Sequence, residues 1–110
     1  MNTQLINIEN RIQPMLLTSD EVRSLQGNLL VLDVQNPKFM TRMLPEGQRL
    51  NIDVSLKDIP KHQPVLMTCL TGQRSFIAAQ QLIQRGYFQV YVLRGGLMAW
   101  QKAGYTVWLT

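Results

Sequence analysis

The residues best suited to chemistry stand together in one run, Cys69-Leu70-Thr71-Gly72-Gln73-Arg74-Ser75, which holds the only cysteine of the chain. A cysteine acts as a nucleophile through its thiolate, and a free thiol with a pKa of about 8.5 is only a few per cent ionised at neutral pH. Lowering a thiol's pKa by ~2 units takes about 2.7 kcal/mol of preference for the anion. A helix N-terminus supplies roughly 0.3–1 kcal/mol, and up to ~2 kcal/mol when partly buried, so it does not suffice alone. Several backbone N–H donors converging on the sulfur, with Arg74 nearby, are needed for the rest. Gly72 suits such a ring, because inward-facing amides require a positive φ or a close backbone approach. Ser75 suits a helix start.

The flanking residues place this run at a strand–helix junction. Before it lies the apolar stretch Pro64-Val65-Leu66-Met67-Thr68, and after it a helix-like stretch from Phe76 to Arg85, stopped by Gly86. The first N–H groups of a helix have no partner inside it, so a loop entering a helix can cradle an anion. Two further runs, Leu29-Leu30-Val31-Leu32-Asp33-Val34 and Val90-Tyr91-Val92-Leu93, read as strands buried on both faces. Asp33 is a carboxylate in an otherwise apolar strand, and there it must be hydrogen-bonded, paired or close to a site. Met15-Leu16-Leu17 reads as a short strand. Thr18 and Glu21 are spaced as a capping box for a short helix that carries Val22 and Leu25 and ends at Gly27. The spacing further predicts a helical turn over residues 38–43, a short alternating strand over 50–54, a helical turn over 55–59, a helix over 97–103 and a final strand or tail at Val107 and Trp108. Buried strand, loop and helix in repetition predict an α/β fold with a largely parallel central sheet flanked by helices on both faces, where ligands bind beyond the carboxyl ends of strands. Cys69 and Asp33 both fall at such ends.

A chain of 110 residues predicts one domain, over 14–110, preceded by residues 1–13 as an arm or an edge strand. No apolar stretch approaches the roughly 20 residues of a membrane-spanning helix. The N-terminus has no basic segment followed by a long apolar core, so a cytoplasmic protein is expected. One cysteine forms no internal disulfide, and one histidine, His62, leaves no zinc set of the usual kind. No metal or organic cofactor is expected. The net charge of +4 is scattered over the chain, which argues against nucleic acid as a partner and leaves a mild field favouring small anions.

Three segments together give the chain a resemblance. Leu30-Val31-Leu32-Asp33-Val34, the run from Cys69 to Ser75, and Val92-Leu93-Arg94-Gly95-Gly96-Leu97-Met98-Ala99-Trp100 resemble, in that order and spacing, the early strand, active-site loop and closing segment of single-domain rhodaneses, over roughly Met15 to Trp108. The resemblance implies a rhodanese-like domain and a sulfurtransferase whose Cys69 thiolate takes a sulfane sulfur from a small anionic donor, such as thiosulfate or a low-molecular-weight persulfide. Sulfur then passes to an acceptor, a protein acceptor included. It implies a persulfide cradle from Leu70, Thr71, Gly72, Gln73 and Arg74, supported by Asp33 and Ser75. Related phosphatases have a loop one residue longer, and Ser75 stands where their arginine would be. The chain departs from the family pattern in two places: Gln35 follows Asp33-Val34 where arginine is usual, and residues 42–49 replace a conventional segment. Neutral Leu70 and Thr71 favour a persulfide donor over thiosulfate. A relay passing persulfide between proteins and a non-catalytic interaction module are the alternatives.

Overall fold

The computed structural model describes residues 13–25 and 27–109. The arm or edge strand expected over residues 1–13 lies, Gln13 apart, outside them. The elements in order are β1 (Met15–Leu17), α1 (Ser19–Leu25), β2 (Leu30–Asp33), β3 (Arg42–Met43), β4 (Gln48–Arg49), a 3-10 turn (Leu56–Asp58), β5 (Val65–Thr68), α2 (Gln73–Gln84), β6 (Val90–Leu93), α3 (Gly96–Lys102) and β7 (Trp108–Leu109). The capping box forms as expected: the Glu21 amide donates to Thr18 Oγ1 at 3.1 Å, and the Thr18 amide donates to Glu21 Oε1 at 2.9 Å. These bonds hold the Glu21 carboxyl below its ordinary value.

Five strands form one parallel sheet in the order β1-β6-β5-β2-β4. Alternation along the strands supplies both cores. Leu32, Val65, Met67, Val90 and Val92 face Ala79 and Leu82 of α2. Leu17, Val31, Leu66 and Leu93 face Val22 of α1 and Leu97 and Trp100 of α3. The apolar runs read as doubly buried strands are therefore covered by helices on both faces. All four residues of the central strand β5 are buried. Asp33 and Thr68 are register partners at the carboxyl ends of β2 and β5, so Cys69 emerges beside the end of β2. Among the described residues, no helix is long and apolar enough to cross a membrane.

Three local expectations are corrected. Residues 38–43 do not make a helical turn. A turn over 37–39 leads instead into β3, which pairs antiparallel with β7. Residues 50–54 are not a strand but a tight turn. Asn51 takes a left-handed φ of 68°, the Arg49 carbonyl accepts the amides of Ile52, Asp53 and Val54, and the Asp53 carboxylate holds the Arg49 amide and guanidinium. Asn and Asp at alternate positions mimic a strand but favour turns through such local bonds. The helix expected from Phe76 begins at Gln73, since Gly72 (φ 102°) is its cap and the Phe76 amide donates to the Gly72 carbonyl.

Candidate active site

Cys69 is 2% exposed, at the base of a loop that closes around its sulfur. The Gly72 amide donates to Sγ at 3.0 Å and the Ser75 amide at 3.4 Å. Ser75 Oγ lies 3.3 Å from Sγ and donates to the Gly72 carbonyl at 3.0 Å. Ser75 is therefore not the helix cap that its type suggests. It is the third residue of α2, fully buried, with backbone and hydroxyl both turned to the sulfur. Of the five residues expected to form a cradle, Gly72 alone bonds the sulfur. The N–H groups of Leu70, Thr71, Gln73 and Arg74 meet no acceptor among the described residues.

The loop carbonyls face a different element. The amides of Leu97 and Met98, in the first turn of α3, donate to the carbonyls of Cys69 and Leu70 at 2.9 and 3.1 Å. This contact requires Gly96: a Cβ there would stand 2.4 Å from the Leu70 carbonyl oxygen and 2.6 Å from that of Cys69. The sequence places Gly95-Gly96 in a turn near the site, but its hold on the loop carbonyls is not written in the local pattern. The paired glycines are the only signal of it.

Asp33 is 2% exposed and does not reach Arg74 or the loop amides. Its Oδ1 accepts the Gln35 amide at 2.8 Å. Its Oδ2 accepts Gln35 Nε2 at 2.8 Å and, more weakly, the Thr68 hydroxyl at 3.4 Å. Burial raises the Asp33 carboxyl above its ordinary 3.8, against the lowering effect of these bonds. Gln35 Nε2 also donates to the Arg42 carbonyl at 2.9 Å, tying β2 to β3. Arg74 Nε donates to the Val34 carbonyl at 2.9 Å and so clips the loop to the end of β2.

A cavity of about 300 Å³ opens on the sulfur, with Gln35, Asn36 and Phe39 on one side and Leu70, Thr71, Gln73 and Arg74 on the other. The sequence does not single out Phe39, which is 79% exposed at this mouth. An apolar groove of about 500 Å³, lined by Leu16, Phe76, Ile77 and Val92, backs on the same loop. A further cavity of about 400 Å³, near Val22 and Trp108, shares no residue with the site.

The profile of the rhodanese-like domain family matches residues 18–103. A sulfurtransferase of Allochromatium vinosum is 35% identical over 81 residues, which cover 70% of this chain and 76% of that protein. The thiosulfate sulfurtransferase GlpE of Pseudoalteromonas translucida is 28% identical over 80 residues, covering 69% and 76% of the two chains. The crystal structure of a rhodanese-related protein from Thermoplasma volcanium superposes with a TM-score of 0.73 at 23% identity, covering 84% of this chain and 96% of that one. The match along most of the chain, together with the parallel sheet and its cysteine loop, places this chain in the rhodanese-like domain family.

Proposed function

We propose that this chain is a sulfurtransferase of the rhodanese type, with Cys69 as nucleophile and sulfur carrier. The observation that carries the reading is the buried Sγ, which receives two backbone amides inside a closed loop at the carboxyl end of a parallel strand. In the first half-reaction the Cys69 thiolate attacks the sulfane sulfur of thiosulfate or of a persulfide. A bond forms between Sγ and that sulfur, the donor's S–S bond breaks, and sulfite or a thiolate leaves with the electron pair. In the second half-reaction a thiophilic acceptor attacks the outer sulfur and Cys69 departs as thiolate. Neither step needs an oxidant, a reductant or an activated water. The unpaired amides of Leu70, Thr71, Gln73 and Arg74 supply donors for the negative charge on the outer sulfur. Arg74 and Ser75 hold the loop's shape, and Asp33 acts through Gln35 rather than as an acid or base.

Intact-protein mass spectrometry tests this. After incubation with thiosulfate or cysteine persulfide the protein gains one sulfur atom, cyanide removes it, and Cys69→Ala gains none. Absence of the gain with both donors overturns the reading.

A further inference from the structure

We infer that the sulfur donor is an organic persulfide rather than thiosulfate, and that Gln35 is the residue that sets this choice. The inference rests on the sulfurtransferase reading above. Gln35 lines the cavity at Cys69, yet it has no hydrogen to offer an anion. A side-chain amide carries two donor hydrogens. The two acceptors at Gln35 Nε2 are the Asp33 carboxylate and the Arg42 carbonyl, so both hydrogens are committed and the orientation of the amide is fixed. The only uncommitted group of that side-chain amide is its carbonyl oxygen, which has no hydrogen to give an anion.

The rest of the mouth agrees. Arg74 is the one cation on the lining, and its Nε is held by the Val34 carbonyl. The amides of Gly72 and Ser75 are already engaged with Sγ. A small dianion with three sulfonate oxygens must leave its hydration shell for this wall; the free amides of Leu70, Thr71, Gln73 and Arg74 serve the sulfur that is transferred, and for the sulfonate the lining adds one exposed cation, Arg74. An organic persulfide brings an uncharged or singly charged sulfur and a carbon body. Phe39, 79% exposed, and Leu70, 40% exposed, offer that body apolar surface at the mouth. Thiosulfate has nothing to place on either. The reaction is R–S–SH plus Cys69 thiolate giving Cys69 persulfide plus R–S⁻. The Sγ–S bond forms as the donor's S–S bond breaks, and the leaving thiolate takes a proton from solvent.

The test compares second-order rates of Cys69 persulfide formation from thiosulfate and from cysteine persulfide, read by mass spectrometry. Wild type loads faster from cysteine persulfide. The intrinsic reactivities of the donors cancel when a variant is compared with wild type. Gln35→Arg has five donors, enough to keep Asp33 and the Arg42 carbonyl and still face the cavity with charge. A unit charge about 6 Å from a dianion in a water-like medium changes its encounter by about tenfold, and a monoanion's by about threefold. The thiosulfate-to-persulfide rate ratio therefore rises about three- to tenfold in Gln35→Arg. Leu70→Lys, at the exposed mouth, makes the same test without disturbing the Asp33 bonds. An unchanged ratio in a folded Gln35→Arg, or in Leu70→Lys where Gln35→Arg does not fold, or faster loading of wild type from thiosulfate, overturns the inference while leaving sulfur transfer intact. No loading of wild type from either donor overturns the parent reading as well.

Discussion

Gly96→Ala is the sharpest probe of how the site is built. Gly96 takes a φ of 63°, and an added Cβ would meet the Leu70 carbonyl oxygen at 2.4 Å, the Cys69 carbonyl oxygen at 2.6 Å and the Leu70 carbonyl carbon at 2.6 Å. These are backbone atoms that cannot rotate aside, so the loop or α3 must move. The left-handed conformation costs an L-residue about 1–2 kcal/mol. Moving the loop lengthens the bonds from the Leu97 and Met98 amides, each of which contributes about 0.5–1.5 kcal/mol. The loss sums to about 2–5 kcal/mol. At roughly 4–8 °C per kcal/mol for a domain of this size, Tm falls by about 8–40 °C. The loop also carries Sγ and its donors, so persulfide loading falls at least about tenfold, measured well below Tm.

Gly104→Ala separates strain from displacement. Its φ is 92°, and a Cβ there meets nothing within 4 Å. It incurs the conformational cost alone, about 1–2 kcal/mol, and loads sulfur at the wild-type rate. Thermal denaturation and loading kinetics of the two variants, side by side, decide the matter. If Gly96→Ala matches Gly104→Ala in both measurements, α3 does not hold the loop in the way described.

Three further outcomes follow from the same geometry. Because burial raises the Asp33 carboxyl above 3.8, the folded state binds the proton more tightly than the unfolded chain, so this group's contribution to stability is greatest below 3.8 and declines as pH rises through the raised value. Urea midpoints of wild type should therefore fall with pH relative to Asp33→Asn across that window, the slope and not the offset being diagnostic; a relative rise contradicts it. The buried Tyr87 hydroxyl donates to the Leu56 and Ile59 carbonyls at 2.9 and 2.8 Å, so Tyr87→Phe costs about 1–2 kcal/mol in denaturant unfolding and leaves sulfur loading unchanged. Ser75→Ala removes the hydroxyl 3.3 Å from Sγ, and loading should slow about five- to thirtyfold, the equivalent of about 1–2 kcal/mol; a wild-type rate in a folded variant removes the hydroxyl from the mechanism.

What the sequence reveals follows the range of the interactions. The buried strands, the capping box at Thr18 and Glu21, and the strand–helix junction at Cys69 rest on residues close in sequence or on plain apolar runs, and those readings match the structure. The readings of residues 38–43 and 50–54 fail because their pattern is polar and short. Gln48 and Arg49 form a strand only because β2 is their neighbour, and Arg42 and Met43 only because β7 returns from far along the chain. Ser75 stands at the helix start as its type suggests, but type alone cannot show that Gly72 is the cap or that the Ser75 hydroxyl turns to the sulfur. Gln35 reads as a lost cation. Its partners, Asp33 and the Arg42 carbonyl, become visible only once β3 is placed. The site's outline is thus local, whereas its opposite wall and its support from α3 are tertiary.

The orientation of the loop's peptide groups shows why that support matters. Carbonyls near an anionic sulfur repel it, so amides must turn inward and carbonyls must find partners elsewhere. Two helix N-termini divide this work, each using amides that have no acceptor within its own helix. The start of α2 gives the Ser75 amide to Sγ, and its cap, Gly72, gives another. The start of α3 gives the Leu97 and Met98 amides to the carbonyls of Cys69 and Leu70, drawing both away from the sulfur. No side chain of α3 bonds the sulfur, yet its first turn fixes the direction in which the Cys69–Leu70 peptide faces. Only a residue without a Cβ allows that turn so close, which makes Gly96 part of the surroundings of the Cys69 sulfur although it lies far from Cys69 in the chain.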